Sequence, residues 1–131
     1  NIETRVNDAR VLNKEFIDKF DYVLVDAPCS GTGLYRKKPD IKWNKDLEDI
    51  RALAEIQLEI LDKAKDYVKD GGELLYSTCS LSKIENEDVV NKFLENNKNF
   101  KIKKLRDREV FKLFPSTDGS DGFSITLMEK N

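Results

Sequence analysis

Apolar residues are spaced along this 131-residue chain in two ways, and the spacing predicts its elements. Phe20-Asp21-Tyr22-Val23-Leu24-Val25 and Glu73-Leu74-Leu75-Tyr76 are compact runs of the kind that form buried strands. Ile2 to Val6 and Phe100 to Leu105 alternate, which predicts a first strand and an edge strand whose lysines discourage further pairing. Phe123 to Met128 reads as a last strand after the turn Asp118-Gly119-Ser120-Asp121-Gly122. Leu47, Ile50, Leu53, Ala54, Leu58, Leu61, Ala64 and Val68 recur at three and four positions, an amphipathic helix from about Lys45 to Lys69. Asn44 would cap it and Gly71-Gly72 would end it. Ser82-Lys83-Ile84-Glu85 has the capping-box pattern and opens a second helix to about Asn96, with Val89, Val90, Phe93 and Leu94 inward. Val11 to Lys19 carries a shorter helical pattern. Five strands alternating with helices make the chain α/β, and the long helix is a crossover that leaves the two compact runs as parallel neighbours.

Charge changes this picture little. Asp and Glu number 25 against 23 Lys and Arg, a net charge of −2, so any attraction to nucleic acid must be local. The absence of histidine removes Ser-His and Cys-His catalytic arrangements and the commonest metal ligand, and two cysteines alone cannot build a zinc site. No metal is expected. No apolar run approaches the roughly 20 residues that span a bilayer, and the first residues lack signal-peptide character, so a cytoplasmic protein without membrane contact is expected. The chain opens without Met, almost directly on a strand-like stretch, which points to an excerpt of a longer chain.

Chemistry concentrates where the two compact runs end. The first delivers Asp26-Ala27-Pro28-Cys29-Ser30-Gly31-Thr32-Gly33, the second Ser77-Thr78-Cys79-Ser80. A core cysteine would lie inside a run among Val and Leu, packing as a small hydrophobe. Both cysteines instead sit at strand exits, where open α/β sheets bind ligands, and parallel strands would bring Asp26, Cys29 and Cys79 to one rim. Between them, Arg36, Lys37, Lys38, Lys42 and Lys45 accompany Tyr35 and Trp43, a mixture suited to phosphates and unstacked bases. A solvated charged surface is the plainer alternative for such a run. Asp8, after the first strand, reads equally as a turn or cap residue.

In order, Asp26 to Gly33, Arg36-Lys37-Lys38-Pro39-Asp40-Ile41-Lys42-Trp43, Tyr76-Ser77-Thr78-Cys79-Ser80 and Asp121-Gly122-Phe123 resemble the RNA cytosine-5 methyltransferases of the NOP/Sun family. The likeness is greatest to the bacterial Sun type, which modifies small-subunit ribosomal RNA. The resemblance implies a Rossmann-like fold that uses S-adenosyl-L-methionine. The chain would supply strands three to seven of seven, mostly parallel with an antiparallel last strand. Residues 1–131 would be the carboxyl-terminal portion of one catalytic domain, lacking the glycine-rich loop and acidic residue that hold most of the cofactor. Residues 1–19 would then lack their native neighbours and be mobile or packed differently.

By the same resemblance Cys79 is the nucleophile, Cys29 assists product release, and Asp26 contacts both the target cytosine and the donor end of the cofactor. Asp8 contacts the adenine end, and Pro28, Arg36 and Lys42 contact the substrate, 16S ribosomal RNA. The chemistry agrees: C5 of cytosine is a weak nucleophile until a thiolate adds at C6. A Pro-Cys motif alone would favour Cys29, as in DNA cytosine-5 methyltransferases, and the additional Thr78-Cys79 decides for the RNA type. Ser124 stands where the family usually has a second aromatic. A monomer is expected. A non-catalytic RNA-binding or structural module of the same fold is the alternative reading. A thiol redox protein would need a Cys-x-x-Cys motif that the chain lacks.

Overall fold

Parallel pairing of the two compact runs organises the structure. The computed structural model describes residues 1–131. β1 (Phe20–Asp26) lies parallel to β2 (Val68–Thr78), in register from Tyr22 opposite Glu73 to Asp26 opposite Ser77. Crossing between them are α1 (Ile41–Asn44), one turn long, and α2 (Leu47–Ala64). Beyond β2 come α3 (Glu87–Asn96), β3 (Phe100–Lys103), β4 (Phe111–Leu113), the short α4 (Pro115–Asp118) and β5 (Phe123–Lys130). β5 returns antiparallel beside β2, and β3 and β4 pair in succession along its far edge. Four strands thus run one way and the last runs the other, as expected.

Hydrophobic burial fixes α2 and α3 on the sheet. Leu61, Val68, Leu74, Phe93 and Met128 are fully enclosed, with Ile60, Ala64, Val89 and Val90 around them. The Phe93 and Phe100 rings meet edge to face at 5.3 Å between centroids, which ties α3 to β3. The opposite sheet face is less covered: Leu24 is 66% and Tyr22 77% exposed on β1.

Several expected elements differ. Ile2 to Val6 forms no strand: no strand lies beside it, and a strand is held by its neighbour's backbone groups. Arg5 there pairs with Glu3 and Glu15 and lies over the Phe16 ring. Of the helix expected from Val11 to Lys19 only a 3-10 turn, Lys14–Phe16, exists, capped by Asn13. That segment is nevertheless anchored, because the Tyr67 hydroxyl accepts from Asn13 N and Asp66 O from Asp18 N.

α2 is capped by Asp46 rather than Asn44, with a reciprocal box to Asp49, and it ends at Ala64, before a 3-10 turn at Lys65–Tyr67. Gly71-Gly72 does not stop the helix; it lies inside β2. Phe20 opposes Val68 whereas Tyr22 opposes Glu73, so β2 bulges here. Gly71 takes φ 76°, and a Cβ on Gly72 would lie 2.9 Å from Asp21 O, so the pair lets β2 bend against β1. α3 begins at Glu87, five residues after Ser82, and Glu85 is buried instead of capping. β3 ends at Lys103, with Leu105 bridged to Arg108, and β4 was not anticipated.

Candidate active site

The matched strands end side by side, so the segments that follow them meet. Asp26 opposes Ser77 in the register, and the Ser77 hydroxyl donates to Asp26 Oδ1 at 2.9 Å. Ala27 N then donates to Ser77 O, the last sheet-like bond before the chains separate. Three residues after Asp26 and two after Ser77, the Cys29 and Cys79 sulfurs lie 2.8 Å apart, both reduced and half-buried. Gly33 N closes the first loop on Cys79 O at 3.0 Å.

Burial, then the hydrogen bond to Cys79 and its charge, push Cys29 up to about 12. Burial thus favours the thiol form of Cys29, and either sulfur can donate across the 2.8 Å contact.

Beside Asp26 a cavity of about 310 Å³ opens between β1 and the start of the chain. Its walls include Asn7, Ala9, Val25, Asp26, Ala27 and Pro28. A larger groove of about 520 Å³ lies between α2 and α3, walled by Arg51, Glu55, Asp88 and Lys92; neither cysteine lines either cavity, but only the smaller one reaches Asp26 and Pro28 on their rim.

A family model described as 16S rRNA methyltransferase RsmB/F matches residues 1–129. This chain belongs to that family. Among curated RsmB/F relatives, "Probable ribosomal RNA small subunit methyltransferase B" of Bacillus subtilis is 39% identical, the alignment covering 98% of this chain and 32% of the relative. Ribosomal RNA small subunit methyltransferase B of Vibrio cholerae is 40% identical over 86% of this chain and 26% of its own length. The chain thus spans about a third or less of the relatives it matches. Among solved structures, that of NSun6 from Pyrococcus horikoshii with SFG superposes at a TM-score of 0.82. It is 30% identical over 99% of this chain and 35% of that one. The fold is that of part of a Rossmann-like methyltransferase domain.

Of the site residues expected from sequence, Asp26, Pro28, Cys29 and Cys79 lie on one rim. Asp8 does not join them directly. Its neighbours Asn7 and Ala9 line the cavity, but its carboxylate is held by Arg10, 2.8 Å away, which keeps it low, at about 2. Lys42 lies over the Trp43 ring at 5.3 Å, and Trp43 is 80% exposed. Arg36 reaches Pro115 O at 3.4 Å. Lys37 is engaged by Asp121 at 2.6 Å, which links the basic stretch to the late Asp121-Gly122-Phe123 motif.

Sequence reasoning missed the polar cluster beneath the thiols. Gln57, Glu85 and Asn86 are buried there with Ser30, Thr78 and Ser80. Gln57 could have been noticed, since it interrupts the apolar stripe of α2 between Ala54 and Leu61, and a polar group in a core position needs a partner. Glu85 was hidden by the capping pattern.

Proposed function

We propose that residues 1–131 are the carboxyl-terminal portion of the catalytic domain of an S-adenosyl-L-methionine-dependent RNA (cytosine-5)-methyltransferase acting on 16S ribosomal RNA. The observation that carries this reading is the 2.8 Å meeting of Cys29 and Cys79 beside Asp26 at the exits of two parallel strands. The family relatives, named as small-subunit ribosomal RNA methyltransferases, support the substrate class. Cytoplasmic location and a monomer belong to the same proposal; no helix is long and apolar enough to cross a membrane.

The residues present fit one side of the cofactor, the part that faces Asp26. An apolar cavity with the Asp26 carboxylate at its rim suits an adenosine-bearing cation, and Asp26 and the Asn7 to Ala9 segment would hold it. When bound it supplies the methyl group. The protein's own part is covalent and acid-base chemistry. Cys79 Sγ, as thiolate, adds to C6 of a cytosine exposed from its stack, forming a C–S bond and leaving C5 nucleophilic. After methylation the C5 proton passes to water and the C6–S bond breaks, its electron pair leaving with sulfur. Cys29, held as a thiol against Cys79, gives the departing sulfur a proton and recovers one from water. Asp26, oriented by Ser77, holds the base edge. Arg36 and Lys42, with Trp43, contact the RNA.

The test uses the full-length protein containing this chain. Cys79→Ala should abolish methyl transfer, whereas Cys29→Ala should accumulate a protein–RNA adduct that survives a denaturing gel. Adduct formation by Cys79→Ala and none by Cys29→Ala would reverse the two roles; no transfer by the unaltered protein would refute the function.

A further inference from the structure

We propose that Glu85 is a positioning residue that sets the separation of the two thiols. The proposal deepens the function above and rests on it for its catalytic meaning. Its structural content can be tested separately.

Glu85 is completely buried, and every contact to its carboxylate comes from a donor. Ser30 N reaches Oε1 at 2.7 Å and Gln57 Nε2 reaches it at 3.1 Å. The hydroxyls of Ser30 and Ser80 both reach Oε2 at 2.5 Å. These four donors match the four acceptor positions of a carboxylate, so it acts as an acceptor only. Ser30 and Ser80 are the residues immediately after Cys29 and Cys79. One side chain therefore ties together the two segments that carry the thiols, 55 residues from Ser30 and five from Ser80.

Proton accounting makes the cluster directional. Because both serine hydroxyls donate to Glu85, Ser80 Oγ is left to accept from Ser82 N at 3.1 Å and from the Thr32 hydroxyl at 3.0 Å. Thr32 Oγ1 in turn accepts from Leu81 N at 3.0 Å. Without the carboxylate, the direct side-chain tie between Ser30 and Ser80 is a 3.4 Å hydroxyl pair, too long to fix these two residues, and the loops are joined only further on, through Thr32 and Gly33. The carboxylate is itself aimed from the rigid core. Gln57 on α2 also donates to Pro28 O at 2.8 Å, and the Tyr76 hydroxyl on β2 donates to Glu85 O at 2.6 Å. Glu85 touches neither sulfur, so it acts through the serines and not as a base.

The arrangement predicts a geometric defect rather than a loss of binding. Misplacing reacting groups by on the order of 1 Å can slow an oriented reaction by about 100-fold. The probe is dibromobimane, which fluoresces once two nearby thiols have each displaced a bromide, forming two C–S bonds and releasing two protons to buffer. At alkaline pH, where more of Cys29 is thiolate, the full-length protein should cross-link Cys29 to Cys79, and the variants are compared with it at the same pH. Glu85→Ala should slow this by at least about tenfold, and Glu85→Gln, which keeps the volume but exchanges one acceptor for a donor, by about threefold or more. In methyl-transfer assays kcat should fall by similar factors with KM for RNA unchanged. A purely structural role would lower the melting temperature and leave both rates alone. Wild-type cross-linking in Glu85→Ala overturns the proposal; if that variant does not fold, wild-type cross-linking in Glu85→Gln does so. Absence of methyl transfer by the unaltered protein would refute the proposed function while the cross-linking result still decides the role of Glu85.

Discussion

Gly33→Ala gives the sharpest test of how the thiol loops are packed. A Cβ at Gly33 would lie 2.1 Å from Gly122 O, 2.6 Å from Gly122 C and 2.8 Å from Gly122 Cα, all backbone atoms. Ordinary contact begins near 3.4 Å, so one segment must retreat by more than 1 Å. That movement breaks the bonds from Gly33 N to Cys79 O at 3.0 Å and from Gly122 N to Gly33 O at 2.9 Å. Two lost backbone bonds at about 1 kcal/mol each, plus about 1–3 kcal/mol of overpacking, give a loss of about 3–5 kcal/mol. For a chain of this size that lowers the melting temperature by roughly 10–20 °C. Gly119→Ala is the control. Its φ of 65° strains any Cβ, but nothing lies within 4 Å, so the loss is about 1 kcal/mol and a few degrees. Thermal melts followed by circular dichroism compare the two. If Gly33→Ala melts within about 3 °C of Gly119→Ala, the close backbone approach does not exist in solution.

The raised Cys29 thiol predicts a pH dependence with a definite sign. Only about one molecule in 10⁴ carries a Cys29 thiolate at pH 8, so its alkylation by iodoacetamide, read by peptide mass, should rise about tenfold per pH unit towards 12. Cys79→Ala removes two of the causes that raise it and leaves burial, so Cys29 should alkylate faster in that variant; an equal or slower rate would show that the thiols do not meet. For RNA, Lys42→Ala should weaken binding and reduce the salt slope by about 0.7, the value for one phosphate contact on a single strand. Lys37→Ala should change both less, because Asp121 already engages Lys37; filter binding across a salt series that reverses this order would refute the assignment.

What could be read in the sequence followed from residues whose pattern has one dominant cause. The apolar run ending at Val25 reads as a strand, and its match to the run ending at Tyr76 across an amphipathic helix fixes parallel pairing, which brings Cys29 to Cys79. Its burial is only partial: β1 lies at the sheet edge, with Phe20, Tyr22 and Leu24 exposed and Val25 buried. Ile2 to Val6 alternates just as well, yet alternation is only half of a strand, and no adjoining strand supplies the other half. Gly71-Gly72 carried two meanings, helix stop and strand bend, and the approach of Asp21 O selected the second. Glu85 likewise fits a helix cap locally; its partner Ser30 lies 55 residues away, beyond any local pattern. The rim that carries the two cysteines was readable because motifs are local, and the cluster beneath it was not because it is made by tertiary contact.

The register between β1 and β2 also decides where this chain can change length. Asp26 and Ser77 are 51 positions apart, but Cys29 and Cys79 are 50 apart. The first loop therefore spends one more residue than the second in reaching the same point. One residue inserted or deleted between Asp26 and Cys29, or between Ser77 and Cys79, would part the sulfurs even if every remaining residue were kept. The exposed turn around Arg106 and Asp107 is subject to no such rule: it closes between Leu105 and Arg108 and meets neither loop. Insertions should accumulate there during divergence, while the two short spans before the cysteines keep their lengths even where their residues change.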